Sequence, residues 1–304
     1  MTLSSDITSR LQAFHQQSDF ARKGGIITDL DGTALLEEDG RLFVALPVES
    51  GLKALIDCGR PVVINTLRFP LNIINTFGRT WSAFTSAPVP VLSLNGAFFG
   101  FVKPKGEKDV ELEEVVSCPL AAEQIESVLT EVAIMLDRGI GDILVFHYPC
   151  DWRLGERIWT PHPHKVDEVR RKYISASSVE AGEIEILAKA LRADGACMLL
   201  ILAEVSDDKR MAYQHANPNR FITAPGIDKL SGARLAAGRL GFDLAHSVGA
   251  GDTPMDTFLS GVGLALHVGP LDLSFRGLVD TIRLPDPGAL GTALFELSSL
   301  QLLV

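Results

Sequence analysis

The chain has 304 residues, 46% hydrophobic and 22% charged, and a formal net charge of −10. That is enough for one large or two modest domains with a sizeable buried core. The acidic balance argues against non-specific nucleic-acid binding, which needs a basic face, and no apolar run approaches a membrane span.

Met1 to Arg10 lacks the apolar h-region of a signal peptide, and Asp6 to Phe20 has the spacing of a leading helix (Ile7, Leu11, Phe14). A strand rich in isoleucine runs into Asp29. Val48 to Cys58 is amphipathic and stops at Gly59, and Pro61 to Thr66 and Val89 to Gly96 read as further strands. Strand, helix and strand at this spacing suggest βαβ units and a parallel sheet. Lys103 to Glu114 is charged and contains Pro104 and Gly106, and is read as the crossing into a second domain. There the spacing predicts a helix over Ala121–Asp137, a strand over Ile143–Tyr148, a helix over Val179–Arg192 and a strand over Cys197–Ala203. Pro218 to Gly226 brings the chain back. The α/β rhythm then resumes with a helix from Leu230 to Leu240, a strand through His246 to Gly249, an acidic loop and a strand over Val262–His267. Four cysteines, Cys58, Cys118, Cys150 and Cys197, are widely spread with no CxxC pair. Reduced thiols in a cytoplasmic chain are expected, rather than a disulfide framework.

The segment from Gly24 to Thr33 carries the most chemistry. Side chains alternate along a strand, so Asp29 and Asp31 leave its carboxyl end on the same side. Gly32 permits a sharp exit, and Thr33 can hydrogen-bond within the turn. Two neighbouring carboxylates repel one another and want a cation; oxygen-only ligands favour a hard one, Mg²⁺ before zinc. The same residues also suit an ordinary Asp-Gly turn.

Four further signals fall on or just beyond these elements. Thr66 follows its strand, where a hydroxyl and free N–H groups can bind an anion, or where Thr serves as a helix N-cap. Lys229 precedes a helix, as a phosphate-neutralising group or as a solvated charge. In Gly249-Ala250-Gly251-Asp252-Thr253-Pro254-Met255-Asp256, Asp252 is placed to ligate a cation with Asp256 behind it, or either acid caps a helix. Asn95-Gly96-Ala97 reads as a turn between strands with Asn95 as a polar contact near the cleft.

In this order (DxDGT after a first strand, Thr after a second, Lys before a late helix, GDxxxD after a late strand) the motifs resemble those of the haloacid dehalogenase (HAD) superfamily. Ser93-Leu94-Asn95-Gly96-Ala97 and the insertion between Thr66 and Lys229 resemble the Cof-type, class IIB branch, which includes sucrose-phosphate phosphatases. The resemblance covers about Gly24–Ala97 and Phe221–Val268. Two departures stand out: Thr66-Leu67-Arg68 where Thr-Gly-Arg is common, and Lys229-Leu230 where Lys-Gly is more usual.

The resemblance implies an α/β fold: a Rossmann-like core with a parallel sheet flanked by helices, at 1–104 and 222–304, and an inserted α+β cap at 105–221 for substrate selection. It implies Asp29 as nucleophile forming an aspartyl-phosphate and Asp31 as general acid and base. Mg²⁺ would be held by Asp29, the Asp31 backbone carbonyl and Asp252, with Asp256 behind them, and phosphate oxygens by Thr66 and Lys229. Arg68 survives from the second motif, and within the cap Asp151-Trp152-Arg153, Arg157, Trp159 and His162-Pro163-His164 are chemically dense. Arg forks and aromatic faces suit a phosphorylated sugar, or form a polar surface loop. The expected activity is therefore Mg²⁺-dependent hydrolysis of a sugar phosphate or similar small organic phosphate. The alternatives are a phosphomutase of the phosphomannomutase type and a non-catalytic protein that binds a phosphorylated metabolite. Oligomeric state is not legible.

Overall fold

A computed structural model of the chain describes residues 3–38, 41–82, 85–106, 109–203, 221–273 and 280–302. Its strands are β1 (Ile26–Thr28), β2 (Leu35–Glu38), β3 (Arg41–Val44), β4 (Val62–Asn65), β5 (Val89–Ser93), β6 (Phe98–Lys105), β7 (Asp109–Ser117) and β8 (Ile143–Tyr148). They continue with β9 (Arg157–Thr160), β10 (Ser178–Ala181), β11 (Met198–Ala203), β12 (Phe221–Ile222), β13 (Val248–Gly251), β14 (Leu264–Val268) and β15 (Asp280–Leu284).

Eight strands form one sheet in the order β15-β14-β13-β1-β4-β5-β6-β7. It is parallel from β15 to β5, with Thr28 opposite Ala250 on one side and Ile64 on the other, and antiparallel at β5–β6 and β6–β7. β1 is only three residues long but fully buried, as a strand covered on both faces must be. Pleating divides its neighbourhood into two apolar layers. Ile26, Val62, Val248 and Leu264 meet Leu52 and Leu55 of the helix Leu46–Asp57 and Leu290 and Leu294 of the helix Pro287–Gln301. Ile27, Val63, Leu92 and Ala265 meet Ala233 and Ala236 of the helix Lys229–Leu240. The chain leaves β1 towards β4 on one side and returns to β13 on the other. β1 is thus the topological switch point, where open α/β sheets bind ligands at strand carboxyl ends.

A second sheet has five strands in the order β10-β9-β8-β11-β12. One face, with Val145, Trp159 and Leu199, carries the helices Ala122–Asp137 and Ile184–Asp194 through Val128, Val132 and Leu191. The opposite face, with Phe146, Tyr148 and Met198, belongs to the same apolar cluster as the first sheet, and the rings of Tyr148 and Phe69 lie 5.8 Å apart.

Two expected elements differ. Lys103–Glu114 is not a crossing: it contributes to the β6–β7 hairpin at the edge of the large sheet, so the second sheet's segment starts after Ser117. The span 179–192 is not one helix: Ser178–Ala181 pairs with β9 as a strand, and the helix begins at Ile184. Of the return segment 218–226, residues 218–220 lie outside the described residues, and Phe221–Ile222 is a short strand paired with β11.

Candidate active site

The carboxyl ends of β1, β4 and β13 and the start of the helix Lys229–Leu240 converge. Asp29 follows β1 directly, and its N–H donates to the Ala250 carbonyl at 2.9 Å, which continues the ladder into the site. The turn after it requires Gly32, whose φ is +71° and whose missing Cβ would stand 2.1 Å from Asp252 Oδ2. The Thr33 N–H closes the turn onto the Leu30 carbonyl at 3.3 Å, and its hydroxyl donates to Asp252 Oδ1 at 3.0 Å, which ties the loop after β1 to the loop after β13.

Lys229 is the electrostatic centre. The Asp228 side chain caps its helix by accepting from Ser231 N at 2.7 Å, and Asn65, at the end of β4, donates to the Lys229 carbonyl at 2.9 Å. So anchored, the Lys229 ammonium is 1% exposed and lies 2.8 Å from Asp29 Oδ1 and 2.7 Å from Asp256 Oδ1. Burial alone would lower its pKa, but Asp256 and Asp29 outweigh burial and hold it above the usual lysine range. Burial pushes the Asp29 carboxyl well above its usual range; Lys229 opposes this, and Asp256, Asp252 and Asp31 add to it. Burial and then Asp256 push Asp252 up to about 7, against the Thr33 hydrogen bond.

Asp29, Asp252 and Asp256 each place one oxygen within 4.8 Å of the others, a hard-oxygen set that fits Mg²⁺. The three are not equivalent. Asp256 Oδ2 accepts from the N–H groups of Asp252 at 2.9 Å and Thr253 at 3.0 Å, and its other oxygen takes Lys229. Its lone pairs are thus largely committed to shaping the loop, which leaves Asp29 and Asp252 as the acids open to a cation. The Asp31 side chain stands apart from this cluster, gripped by both ends of Arg68, Nε to Oδ2 at 2.8 Å and a terminal nitrogen to Oδ1 at 2.5 Å.

Thr66 is fully buried, and its hydroxyl oxygen accepts from Arg68 N at 3.2 Å. Asn95 is buried in a left-handed conformation with φ +57°. Beside it Gly96 presses on the helix start, where a Cβ would lie 2.2 Å from the Asp228 carbonyl. Arg153 and Arg157, beside the second sheet, are not brought to this cluster. Arg153 lies exposed against Asp151 and over the Trp152 ring at 5.0 Å. Arg157 pairs with Asp194 at 2.5 Å, because alternation along β9 turns Ile158 inward and Arg157 towards the helix-bearing face. The rings of His162 and His164 lie 5.1 Å apart, tilted by 40°, with no third metal ligand among the described residues.

Asn65 and Glu156 were not singled out in the sequence. Asn65 directly precedes Thr66 at a strand tip, a usable signal; Glu156 sits inside the dense stretch 151–164 but has no distinguishing spacing.

No protein-family profile matches the chain, and no curated protein matches it in sequence. Solved structures do. The HAD-superfamily phosphatase BT1666 from Bacteroides thetaiotaomicron matches with TM-score 0.62 at 18% identity, over 92% of this chain and 96% of that one. The HAD subclass IIB sugar phosphatase BT4131 matches with TM-score 0.62 at 16% identity, over 89% and 96%. TM0651 from Thermotoga maritima matches with TM-score 0.60 at 13% identity, over 90% and 96%. At these identities the likeness is one of fold, and the fold that brings Asp29, Lys229 and Asp252 together at one sheet end is that of the haloacid dehalogenase superfamily.

Proposed function

We propose that the chain is a Mg²⁺-dependent phosphomonoester hydrolase acting on a sugar phosphate or similar small organic phosphate through an aspartyl-phosphate. The observation that carries this reading is Asp29, a nearly buried carboxylate at the switch-point strand end, 2.8 Å from Lys229 and beside Asp252. An Asp Oδ in that position attacks phosphorus while the bond to the ester oxygen breaks. Asp31 donates a proton to that oxygen, then takes one from the water that attacks the aspartyl-phosphate. The phosphorus–Oδ bond then breaks, releasing phosphate and restoring the Asp29 carboxylate. Arg68 grips both Asp31 oxygens, so proton transfer by Asp31 requires their pair to open. Thr66 and Lys229 hold phosphate oxygens where charge accumulates. The Asp29 and Asp252 side chains and the Asp31 carbonyl would hold Mg²⁺, which would supply positive charge to offset the repulsion between these acids and an anionic substrate.

The catalytic unit in this reading is the large sheet with its helices, and the second sheet with its helices, from about residue 118 to 222, is the substrate-selecting cap. The test is inorganic phosphate release from hexose monophosphates and an aryl phosphate, with Mg²⁺ and with chelator. Asp29→Asn is expected to lower turnover by at least about 10³-fold while circular dichroism stays native. Near-normal release by that variant would remove Asp29 as nucleophile. Return of the phosphoryl group to the sugar, in place of phosphate release, would move the assignment to a phosphomutase.

A further inference from the structure

Glu156 is the buried acid that the proposed chemistry leaves unused. It lies between the turn Trp152–Leu154 and β9 and is 5% exposed. Its side chain leaves the cap and meets the large domain: Asn72 Nδ2, on the segment that carries Thr66 and Arg68, donates to Oε2 at 3.4 Å. Ser175 Oγ donates to the same oxygen at 3.2 Å. Among the described residues, no hydrogen bond reaches Oε1 and no Lys, Arg or His lies within ion-pair distance of Glu156.

A 3.4 Å amide contact is weak, and Oε1, which is not among the fully enclosed unpaired atoms, is the oxygen a donor from outside can reach. Burial pushes its pKa up, against the Ser175 and Asn72 hydrogen bonds and the charge of Arg68. Arg68 spends two of its donors on Asp31. Arg68 thus links the two acids: it grips Asp31 directly, and its charge reaches Glu156 from beyond ion-pair distance, while Asn72 of the same segment touches Glu156 itself. Tyr148, tilted against Phe69, lies on the apolar side of the junction. An alcohol leaving beside Asp31 would find in Glu156 an acceptor in search of a donor.

We propose that Glu156 determines specificity by accepting a hydrogen bond from a hydroxyl of the leaving alcohol, so that the preferred substrates are phosphate monoesters of polyhydroxylated alcohols. This rests on the hydrolase reading. A monoester without a free hydroxyl leaves the buried acceptor unpaired and is discriminated against.

The experiment is steady-state hydrolysis of hexose monophosphates and para-nitrophenyl phosphate, which lacks a second hydroxyl, by wild type, Glu156→Gln and Glu156→Ala. Thermal melts establish that the variants fold, and Glu156→Gln keeps the side chain's shape. The expected result is a fall of at least about tenfold in the ratio of kcat/KM for the best hexose phosphate to that for the aryl ester, expressed mainly in KM. An unchanged ratio in folded Glu156→Gln and Glu156→Ala overturns the proposal, as does an equal loss on both esters, which marks Glu156 as structural. If wild type hydrolyses neither ester, the hydrolase reading has failed on its own. Calorimetric binding of the hexose phosphates to wild type and Glu156→Gln then decides, and an unweakened Kd, or no binding to either protein, overturns the role of Glu156.

Discussion

Lys229 is held by two carboxylates that would otherwise repel each other, and the arrangement is asymmetric. Asp29 offers it one oxygen, and among the described residues no hydrogen bond reaches its other, whereas Asp256 gives Lys229 one oxygen and two backbone N–H groups the other. Asp256 is fully buried, so its removal strands a buried ammonium with half its compensation and leaves the Asp252 and Thr253 amides without an acceptor. Breaking a buried pair from one side costs about 3–5 kcal/mol. Asp256→Ala is therefore expected to lower unfolding free energy by that amount in urea titrations, as well as to displace Asp252. A loss under about 1 kcal/mol would show that water replaces the missing carboxylate. The sequence placed both residues by motif, but it left Lys229 open as a solvated surface charge. What it could not disclose is the depth of burial, which depends on Asn65 and Gly96 pinning the helix start from other strands.

Elements with a strong period or a single dominant layer were legible. The helix at Ala122–Asp137 and the strand at Ile143–Tyr148 fall where periodicity places them. The stretch Ser178–Asp194 was not, because a four-residue strand whose burial alternates weakly looks like the first turn of the amphipathic helix that follows. The β6–β7 hairpin was hidden by its charge: β7 alternates acidic and apolar residues at a sheet edge, where one face meets water. β8 shows how such an element reaches a property of the protein. His147 points to the helix-bearing face of the second sheet, buried, and donates Nε2–H to the Gly195 carbonyl at 2.7 Å. Burial lowers its pKa below 6.5, while the unfolded chain titrates near that value. As pH falls through 6.5 the unfolded state binds the proton first, so stability drops from there down to the folded pKa. Urea midpoints of wild type are thus expected to fall between about pH 7.5 and 5.5 more steeply than those of His147→Gln. Parallel slopes would mean that His147 stays solvated enough to protonate in place.

Across the whole molecule, charge is distributed so that the site is worse off than the surface. The chain carries a formal net charge of −10. At the end of the parallel sheet Asp29, Asp31, Asp252 and Asp256 face Lys229 and Arg68 alone, among the described residues. That imbalance is held in place by the two apolar layers of the large sheet and by the second sheet, one face of which shares one of those layers. A divalent cation bound by the folded protein should relieve the repulsion, and by linkage stabilise it by about 2.7 kcal/mol at a hundredfold excess over Kd. Mg²⁺ is therefore expected to raise Tm by a few degrees, saturably, and chelator to reverse the shift. Asp252→Asn removes one of the two acids left open to the ion and should flatten the Mg²⁺ response while Tm without metal holds or rises, because a buried like charge has gone. A Tm that tracks ionic strength equally with Na⁺ and Mg²⁺, or an Asp252→Asn protein with the full Mg²⁺ response, would place the stabilising charge on the acidic surface rather than at Asp29 and Asp252.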